Sequence, residues 1–140
     1  MQRKRRTRIL IDYGKETALK MSEEIEKHYL VEMISDPKEA LTMIKMRETA
    51  QNSLFYAGEV LVTETKVRIE NQVGIGLVKG NQREFSRALA IIDAAFAAKL
   101  PETLNWIPVL DELEHAGEML WQAKQDRLAL TKVNFETMNQ

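Results

Sequence analysis

The chain has 140 residues, of which 44% are hydrophobic and 29% are charged, and its net charge is −1. These values are typical of a single globular domain over residues 1–140, and no apolar run approaches the roughly 20 residues that span a bilayer. Because the chain contains no cysteine, disulfides, thiolate metal sites and a cysteine-ligated iron–sulfur cluster are excluded. The first apolar run is too short for a signal peptide, so we expect a cytoplasmic protein.

Positive charge is concentrated in residues 1–8, which carry five basic side chains and no acidic one. Such a basic arm could contact nucleic acid or another anion, or it could be a frayed, solvated terminus. From Thr7 to Tyr29, apolar residues recur at three- and four-residue spacing, which predicts a helix. Gly14 lies on the apolar face of this helix and is the point where the helix can break.

The next part of the chain predicts an antiparallel meander of four strands. A turn sequence around Pro37 separates the first strand from the second. In the second half of the third strand, charged side chains alternate with threonine, valine and isoleucine, so one face of the sheet is expected to be polar. The four predicted strands are Leu30–Ile34, Leu41–Glu48, Leu54–Glu70 and Val73–Lys79.

Two helices are predicted after the strands. Asn81 is the expected N-cap of the first, within a capping-box pattern. Pro101 and Pro108 each suit a first helical turn in the segment that leads into the second helix. Val133, Phe135 and Thr137 alternate with polar residues, so residues 132–140 are predicted to form an extended tail. The predicted fold is therefore α+β: a four-stranded antiparallel meander packed against an N-terminal helix and two C-terminal helices, with an extended C-terminal tail.

The glycine-rich segment Gly74–Gly80 fails both common nucleotide-binding motifs. Lys79 stands where the dinucleotide fingerprint requires its third glycine, and the Gly-Lys-Ser/Thr ending of a P-loop is missing. A weaker possibility remains, because Lys79, Gly80 and Asn81 would form a helix N-terminus whose backbone N–H groups attract phosphate or phosphonate. The alternative is a tight turn between a strand and a helix.

Two segments are candidates for a subunit interface. Phe55 and Tyr56 precede a glycine inside an otherwise regular strand, where glycine often marks a bulge or a close backbone approach. Their rings either pack in the core or contact another subunit. The apolar residues of the tail either fold back on the chain or dock on a partner. The candidate interface residues are Phe55, Tyr56, Gly58, Glu59, Val133, Phe135 and Met138.

No catalytic or metal site can be assembled from the sequence. His28 and His115 lie far apart, and neither has the spacing of a metal ligand pair. Glu59 and Glu64 could serve as acid or base, but two carboxylates on one strand are typical of a solvated face. The catalytic residues are therefore unknown, and no metal is expected.

The middle and the end of the chain carry four segments whose combination is distinctive. They are Phe55…Ala57-Gly58-Glu59, Val78–Asn81, Ala90–Ala94 and Val133–Met138. In this order they resemble the PhnG family, small subunits of the bacterial phosphonate carbon–phosphorus lyase core complex, and the similarity covers roughly residues 38–138. The chain departs from the family at the turn, which is often Gly-Arg-Asp where this chain has Gly80–Gln82, and at Glu136, where a second aromatic residue is common.

The resemblance implies a place in an assembly. Similar proteins join the H, I and J subunits in a two-fold core complex, with the L and K subunits at its periphery. That system uses ATP as a substrate and displaces adenine with an alkylphosphonate, which gives ribose 1-alkylphosphonate 5-triphosphate. S-adenosylmethionine and an iron–sulfur cluster belong to the J subunit, and no cofactor is implied for this chain. The implied role is an accessory, architectural subunit that is required with the I, H and L subunits.

Two other functions stay open on the sequence alone. A small nucleic-acid-binding protein would use the basic N-terminal arm and would bind in a strongly salt-dependent manner. No second basic patch supports it, so neither nucleic acid nor a membrane is an expected partner. An independent small-molecule enzyme would need a site that these residues do not supply.

Overall fold

The computed structural model describes residues 1–47, 50 and 53–138, with side chains described as far as Thr131. The elements are α1 (Arg3–Tyr13), α2 (Lys15–His28), β1 (Glu32–Arg47), β2 (Leu54–Ile69), β3 (Gln72–Lys79), α3 (Arg83–Ala97) and α4 (Pro101–Met138). The predicted α+β class is confirmed. The chain divides into two compact units, one of Lys15–Leu104 and one of Met1–Gly14 with Asn105–Gln140. The prediction of one domain over residues 1–140 stays a prediction.

The sheet has three described strands in the order β1-β2-β3, not the predicted four. The segments Leu30–Ile34 and Leu41–Glu48 were expected to be separate, but most of both lies in β1, which runs through Pro37. β1 is an edge strand, and its pairing with β2 shifts register on both sides of Ser35. Proline lacks a backbone N–H, yet an edge strand with bulges accommodates it. The predicted turn around Pro37 is therefore an irregular part of a single strand.

Helix α3 covers one face of the sheet at very short range. Ten of its residues are buried, including Phe85, Ile91 and Ile92. A Cβ atom added to Gly76 would lie 1.9 Å from the carbonyl oxygen of Ser86, and one added to Gly74 would lie 2.1 Å from that of Ala90. Only glycine permits such a close approach of β3 to the helix backbone. The two glycines that fail as a nucleotide motif are thus a packing device.

A buried hydroxyl network ties α3 to β2 and β3. The Oγ of Ser86 lies 2.8 Å from Oγ1 of Thr65, 2.9 Å from the carbonyl oxygen of Gly76 and 3.1 Å from that of Thr63. Ser86, Thr63 and Thr65 have no measurable exposure to solvent. Buried hydroxyls are costly without partners, so the short contact between α3 and the sheet also satisfies its own polar groups.

The helix predicted from Thr7 to Tyr29 is two helices that meet at Gly14. The N–H of Gly14 donates to the carbonyl oxygen of Leu10 at 3.1 Å and closes α1. The break at Gly14 is therefore confirmed, while the first helix begins earlier than predicted, at Arg3.

The unit formed by Met1–Gly14 and Asn105–Gln140 joins α1 to most of α4. A Cβ atom added to Gly117 would lie 2.4 Å from the ring of Tyr13, so the aromatic ring rests directly on the backbone of α4. Beyond this contact, every described side chain from Glu118 to Thr131 is exposed. The prediction of an extended tail over residues 132–140 is wrong as far as Met138, because α4 continues to that residue.

Candidate functional site

β1 and β2 continue together well beyond the end of β3. β2 pairs with β3 only over Val62–Ile69, whereas it pairs with β1 from Leu54 to Arg68. Residues 41–47 and 54–61 therefore form a two-stranded ribbon that has no third strand beside it among the described strands. We call these residues the distal ribbon. A two-stranded ribbon is at best marginally stable in water by itself.

Both faces of the distal ribbon are largely apolar. Residues that pair across two strands share a face, so the pairs assign each side chain to one of the two faces. One face carries the pairs Thr42–Val60, Ile44–Gly58 and Met46–Phe55, and the other carries Leu41–Leu61, Met43–Glu59, Lys45–Tyr56 and Arg47–Leu54. The relative exposures of the eight large apolar side chains run from 38% for Leu61 to 66% for Leu41. Exposed apolar residues of monomeric proteins are usually scattered singly, so eight on one ribbon are unusual.

A bulge in β2 lies at the centre of the distal ribbon. Ile44 pairs with Gly58 and Lys45 pairs with Tyr56, so Ala57 is an extra residue without a partner on β1. Gly58 has φ of +151°, a value that residues with a Cβ atom rarely adopt. The bulge changes the phase of β2, which places Phe55 on the same face as Gly58 and Val60. The glycine that the sequence marked as a possible bulge is therefore next to one.

The face that carries Phe55 continues onto β3. Gly74 and Gly76 face α3, so the residues between them face the opposite way. Val73, Ile75 and Leu77 are 45%, 40% and 45% exposed on this outer face. Charged residues of β2 lie beside this row, and ion pairs neutralise part of their charge. One such pair joins Lys66 and Glu64, at 3.6 Å. The unit therefore carries a second exposed apolar row, which lies beside Glu64, Lys66 and Arg68 of β2.

The predicted anion site lies in a turn that is held by Thr63. Oγ1 of Thr63 donates to the carbonyl oxygen of Gly80 at 2.5 Å and accepts the N–H of Gln82 at 3.1 Å. The N-cap of α3 is Gln82, whose side chain makes no cap hydrogen bond. Asn81 as N-cap is therefore wrong: the turn extends one residue further because a hydroxyl from β2 satisfies its backbone. Anion binding by Lys79, Gly80 and Asn81 stays a prediction.

Residues 3–8 of the basic arm lie in helix α1, where Arg5 and Arg8 form ion pairs. Arg5 donates to both carboxylate oxygens of Glu114, at 2.6 and 3.1 Å, and to Asp111 at 3.1 Å. Arg8 lies 3.6 Å from Glu114, and Arg6 is buried. The hydrogen bond from Arg5, with the positive charge of Arg5, lowers the pKa of Glu114. These contacts give the arm a structural role and reduce the charge that it could offer to nucleic acid.

A second charged group surrounds Tyr29, close to the start of β1. The hydroxyl of Tyr29 donates to the carboxylate oxygens of Glu102 at 2.9 and 3.2 Å, which raises the pKa of Tyr29. A cleft beside it is also lined by His28, Glu70 and Arg68, and Arg68 lies 3.6 Å from Glu32. Opposite charges offset one another here, so the cleft has no marked preference for an anion.

Comparison with known proteins supplies the family. A family model described as phosphonate metabolism protein PhnG matches residues 1–140, the whole sequence. The chain belongs to the PhnG family. A search of curated proteins finds no match. Membership in the PhnG family places the chain in phosphonate metabolism and confirms the resemblance carried by the four segments.

The interface residues predicted for this PhnG chain fall into two groups. Phe55, Tyr56 and Glu59 are exposed and Gly58 partly exposed on the distal ribbon, so the core-packing interpretation of the two aromatic rings is wrong. Val133, Phe135 and Met138 lie in the last turns of α4, and their side chains lie outside the described part of the structure. A role in a subunit interface stays a prediction for both groups.

The PhnG chain shows no other concentrated chemistry in its described part. Within residues 1–47 and 53–131, no three histidine, aspartate or glutamate side chains are grouped so that they could hold a metal ion. His28 and His115 are both exposed, on α2 and α4. Across the same described residues, no helix combines the length and the apolar character needed to cross a bilayer. The distal ribbon is therefore the most distinctive surface of the described chain.

Proposed function

We propose that the chain is an accessory, architectural subunit of the carbon–phosphorus lyase system. In this proposal it is required with the I, H and L subunits to form ribose 1-alkylphosphonate 5-triphosphate from ATP and an alkylphosphonate, with adenine displaced. Membership in the PhnG family supports a role in phosphonate metabolism. The observation that carries the architectural role is the distal ribbon, with large apolar side chains exposed on both faces.

The magnitude of this exposure supports a stable contact. Complete burial of a large apolar side chain contributes about 1.5–3 kcal/mol, so covering eight that are about half exposed would contribute roughly 8 kcal/mol. The estimated cost of association is of similar size, about 4–15 kcal/mol. The distal ribbon could therefore supply much of an interface but needs further contacts, for which the exposed apolar row of β3 in the same unit is available.

The proposed assembly leaves the reaction chemistry to other chains. The partners in the proposal are the H, I and J subunits of a two-fold core complex, with L and K at its periphery, in the cytoplasm. ATP is a substrate of the whole assembly, while S-adenosylmethionine and the iron–sulfur cluster belong to the J subunit. This chain would then shape or stabilise the assembly. Among the described residues the nucleic-acid alternative is disfavoured, because Arg5 and Arg8 are engaged with Glu114.

Reconstitution tests the proposal directly. The chain is expressed with the H, I, J and L subunits from the same source, and adenine release from ATP and methylphosphonate is followed with and without it. We expect adenine release to require the chain and the chain to copurify with its partners. The same activity without the chain, together with its purification as a lone monomer, would refute the proposal.

A matched pair of variants then tests the distal ribbon. Met46→Ser with Phe55→Ser changes one cross-strand pair on the ribbon, and Lys20→Ser with Glu23→Ser changes two exposed residues on α2. We expect the ribbon variant to lose copurification and adenine release, and the α2 variant to keep both. Equal behaviour of the two variants would show that the ribbon is not the contact.

A further inference from the structure

The edge of β2 along the distal ribbon carries backbone groups that no described strand pairs with. β3 ends at Lys79, opposite Val62, and the N–H of Gly80 donates to the carbonyl oxygen of Leu61 at 2.7 Å. The backbone polar groups of Leu61 therefore face the β3 side of β2. Because these groups alternate between the two sides of a strand, the N–H and C=O of Glu59 face the same side, beyond the end of β3.

The other edges of the sheet are better protected against an added strand. On β3, the N–H of Ile75 donates to Oδ2 of Asp93 at 3.0 Å, so a side chain from α3 occupies that edge. On β1, the first half contains Pro37 and two register shifts, and the second half carries Lys45. Proline, bulges and lysine are the usual means of blocking an edge. Residues 54–60 of β2 contain neither proline nor lysine, and their one blocking feature is the bulge at Ala57.

We propose that the distal ribbon accepts a β-strand from a partner subunit, added to the edge of β2 over residues 54–60 and in line with β3. The inference rests on the proposed function, which supplies the partner. Backbone hydrogen bonds would give affinity, and alternate side chains would give specificity. On the face of Phe55 and Val60 the added strand carries apolar side chains. On the opposite face it carries a basic side chain, because Glu59 is the one charged residue in this stretch.

A second copy of this chain fits the edge less well than a strand from another protein. Ala57 is an extra residue in β2, so the strand is irregular at the middle of the open stretch. Two such edges paired about a two-fold axis would place both bulges in one ladder of about seven residues, where each interrupts the pairing of the other. A regular strand from a different subunit meets one bulge only.

The test separates backbone pairing from side-chain contact at a single residue. Glu59→Pro removes the N–H on the open side, and because edge positions tolerate proline the ladder with β1 is retained. Glu59→Gln keeps the N–H and removes the charge. The full-length variants are measured for binding to the complex of the H, I and J subunits. We expect binding about tenfold weaker for Glu59→Pro, since a buried acceptor is left without its donor, and only about threefold weaker for Glu59→Gln, which loses the exposed charge pair but keeps the backbone donor.

Each outcome decides the inference. If the wild-type chain does not bind the H, I and J subunits, both the proposed function and the strand addition are refuted. If wild type and Glu59→Pro bind with equal affinity, only the strand addition is overturned. The same conclusion follows if Glu59→Gln loses as much affinity as Glu59→Pro. If the lone wild-type chain forms a dimer and Glu59→Pro dissociates that dimer, the edge is occupied by a second copy of this chain. That result would also overturn the inference.

A second measurement covers the case in which Glu59→Pro does not fold. Amide hydrogen exchange of the wild-type chain is compared between the free chain and the complex with H, I and J subunits. We expect exchange at the Glu59 amide to slow at least about tenfold in the complex, since it would gain a strand partner. An unchanged rate at this amide in a complex that does form would overturn the inference.

Discussion

Gly76→Ala tests whether the close approach of α3 to β3 stabilises the fold. The added Cβ would lie 1.9 Å from the carbonyl oxygen of Ser86 and 2.6 Å from the N of Ala90, both backbone atoms that cannot rotate away. Restoring even a tight contact of about 3 Å requires α3 to move by about 1 Å. That movement would lengthen the hydrogen bond from Ser86 to Gly76, now 2.9 Å. Overpacking costs about 1–3 kcal/mol and the weakened bond about 1 kcal/mol more, so we expect a loss of about 3 kcal/mol.

Thermal unfolding of the purified chain by circular dichroism measures this loss. For a chain of this size about 3 kcal/mol corresponds to a Tm lower by roughly 10 °C. The matched control is Ile75→Val on the same strand, because Ile75 is 40% exposed on the opposite face and the loss of one methylene there is expected to cost under about 1 kcal/mol. A Tm for Gly76→Ala within about 2 °C of wild type, or no lower than that of the control, would refute the close approach.

Three further predictions follow from the buried hydroxyls and from the contacts of α1. Ser86→Ala leaves Oγ1 of Thr65 without its buried partner and should cost about 1–3 kcal/mol in urea unfolding; adding Thr65→Val should recover part of that loss, and additive losses would contradict the pairing. Gly117→Ala should lower Tm by more than Ala116→Ser, because its Cβ would lie 2.4 Å from the ring of Tyr13, and equal melting of the two variants would contradict the contact. Arg5→Gln should be less stable than Lys4→Gln near neutral pH, where Glu114 is ionised. Since the pKa of Glu114 is lowered from its ordinary value of 4.5 by Arg5, this difference should vanish as pH falls from 4.5 through the lowered pKa; a difference that persists in acid would contradict the ion pair.

The class of the fold could be predicted because it depends on local periodicity. The break at Gly14 and the long alternating strand that became β2 both follow from signals within a few residues. The continuity of β1 could not be predicted, because Pro37 is a turn signal locally and only pairing with β2 keeps the strand together. The start of α3 was missed for a similar reason. Thr63, which satisfies the turn, lies far away in sequence and gives no local signal.

Only part of the candidate site could be predicted from the sequence. The unusual position of Phe55 and Tyr56 marked the segment, but an aromatic pair in a strand looks the same whether or not a helix covers it. Their exposure depends on where β3 and α3 end. The role of Gly74 and Gly76 was equally hidden, because a glycine required by a helix backbone resembles one required by a phosphate until the helix is in place.

The exposure of the distal ribbon follows from the lengths of the elements. α3 has 15 residues and β3 has 8, so they extend about 22 and 27 Å. β2 has 16 residues and extends about 54 Å, which leaves about half of it beyond both covering elements. A helix that covered the remainder would need about 18 residues. In the described part of the unit Lys15–Leu104, the two complete helices already have most of their apolar residues buried, so we expect that cover to come from outside the unit. The distal ribbon thus exposes apolar side chains on both faces, and its own unit does not cover them. This pattern is expected of a surface that is completed by assembly.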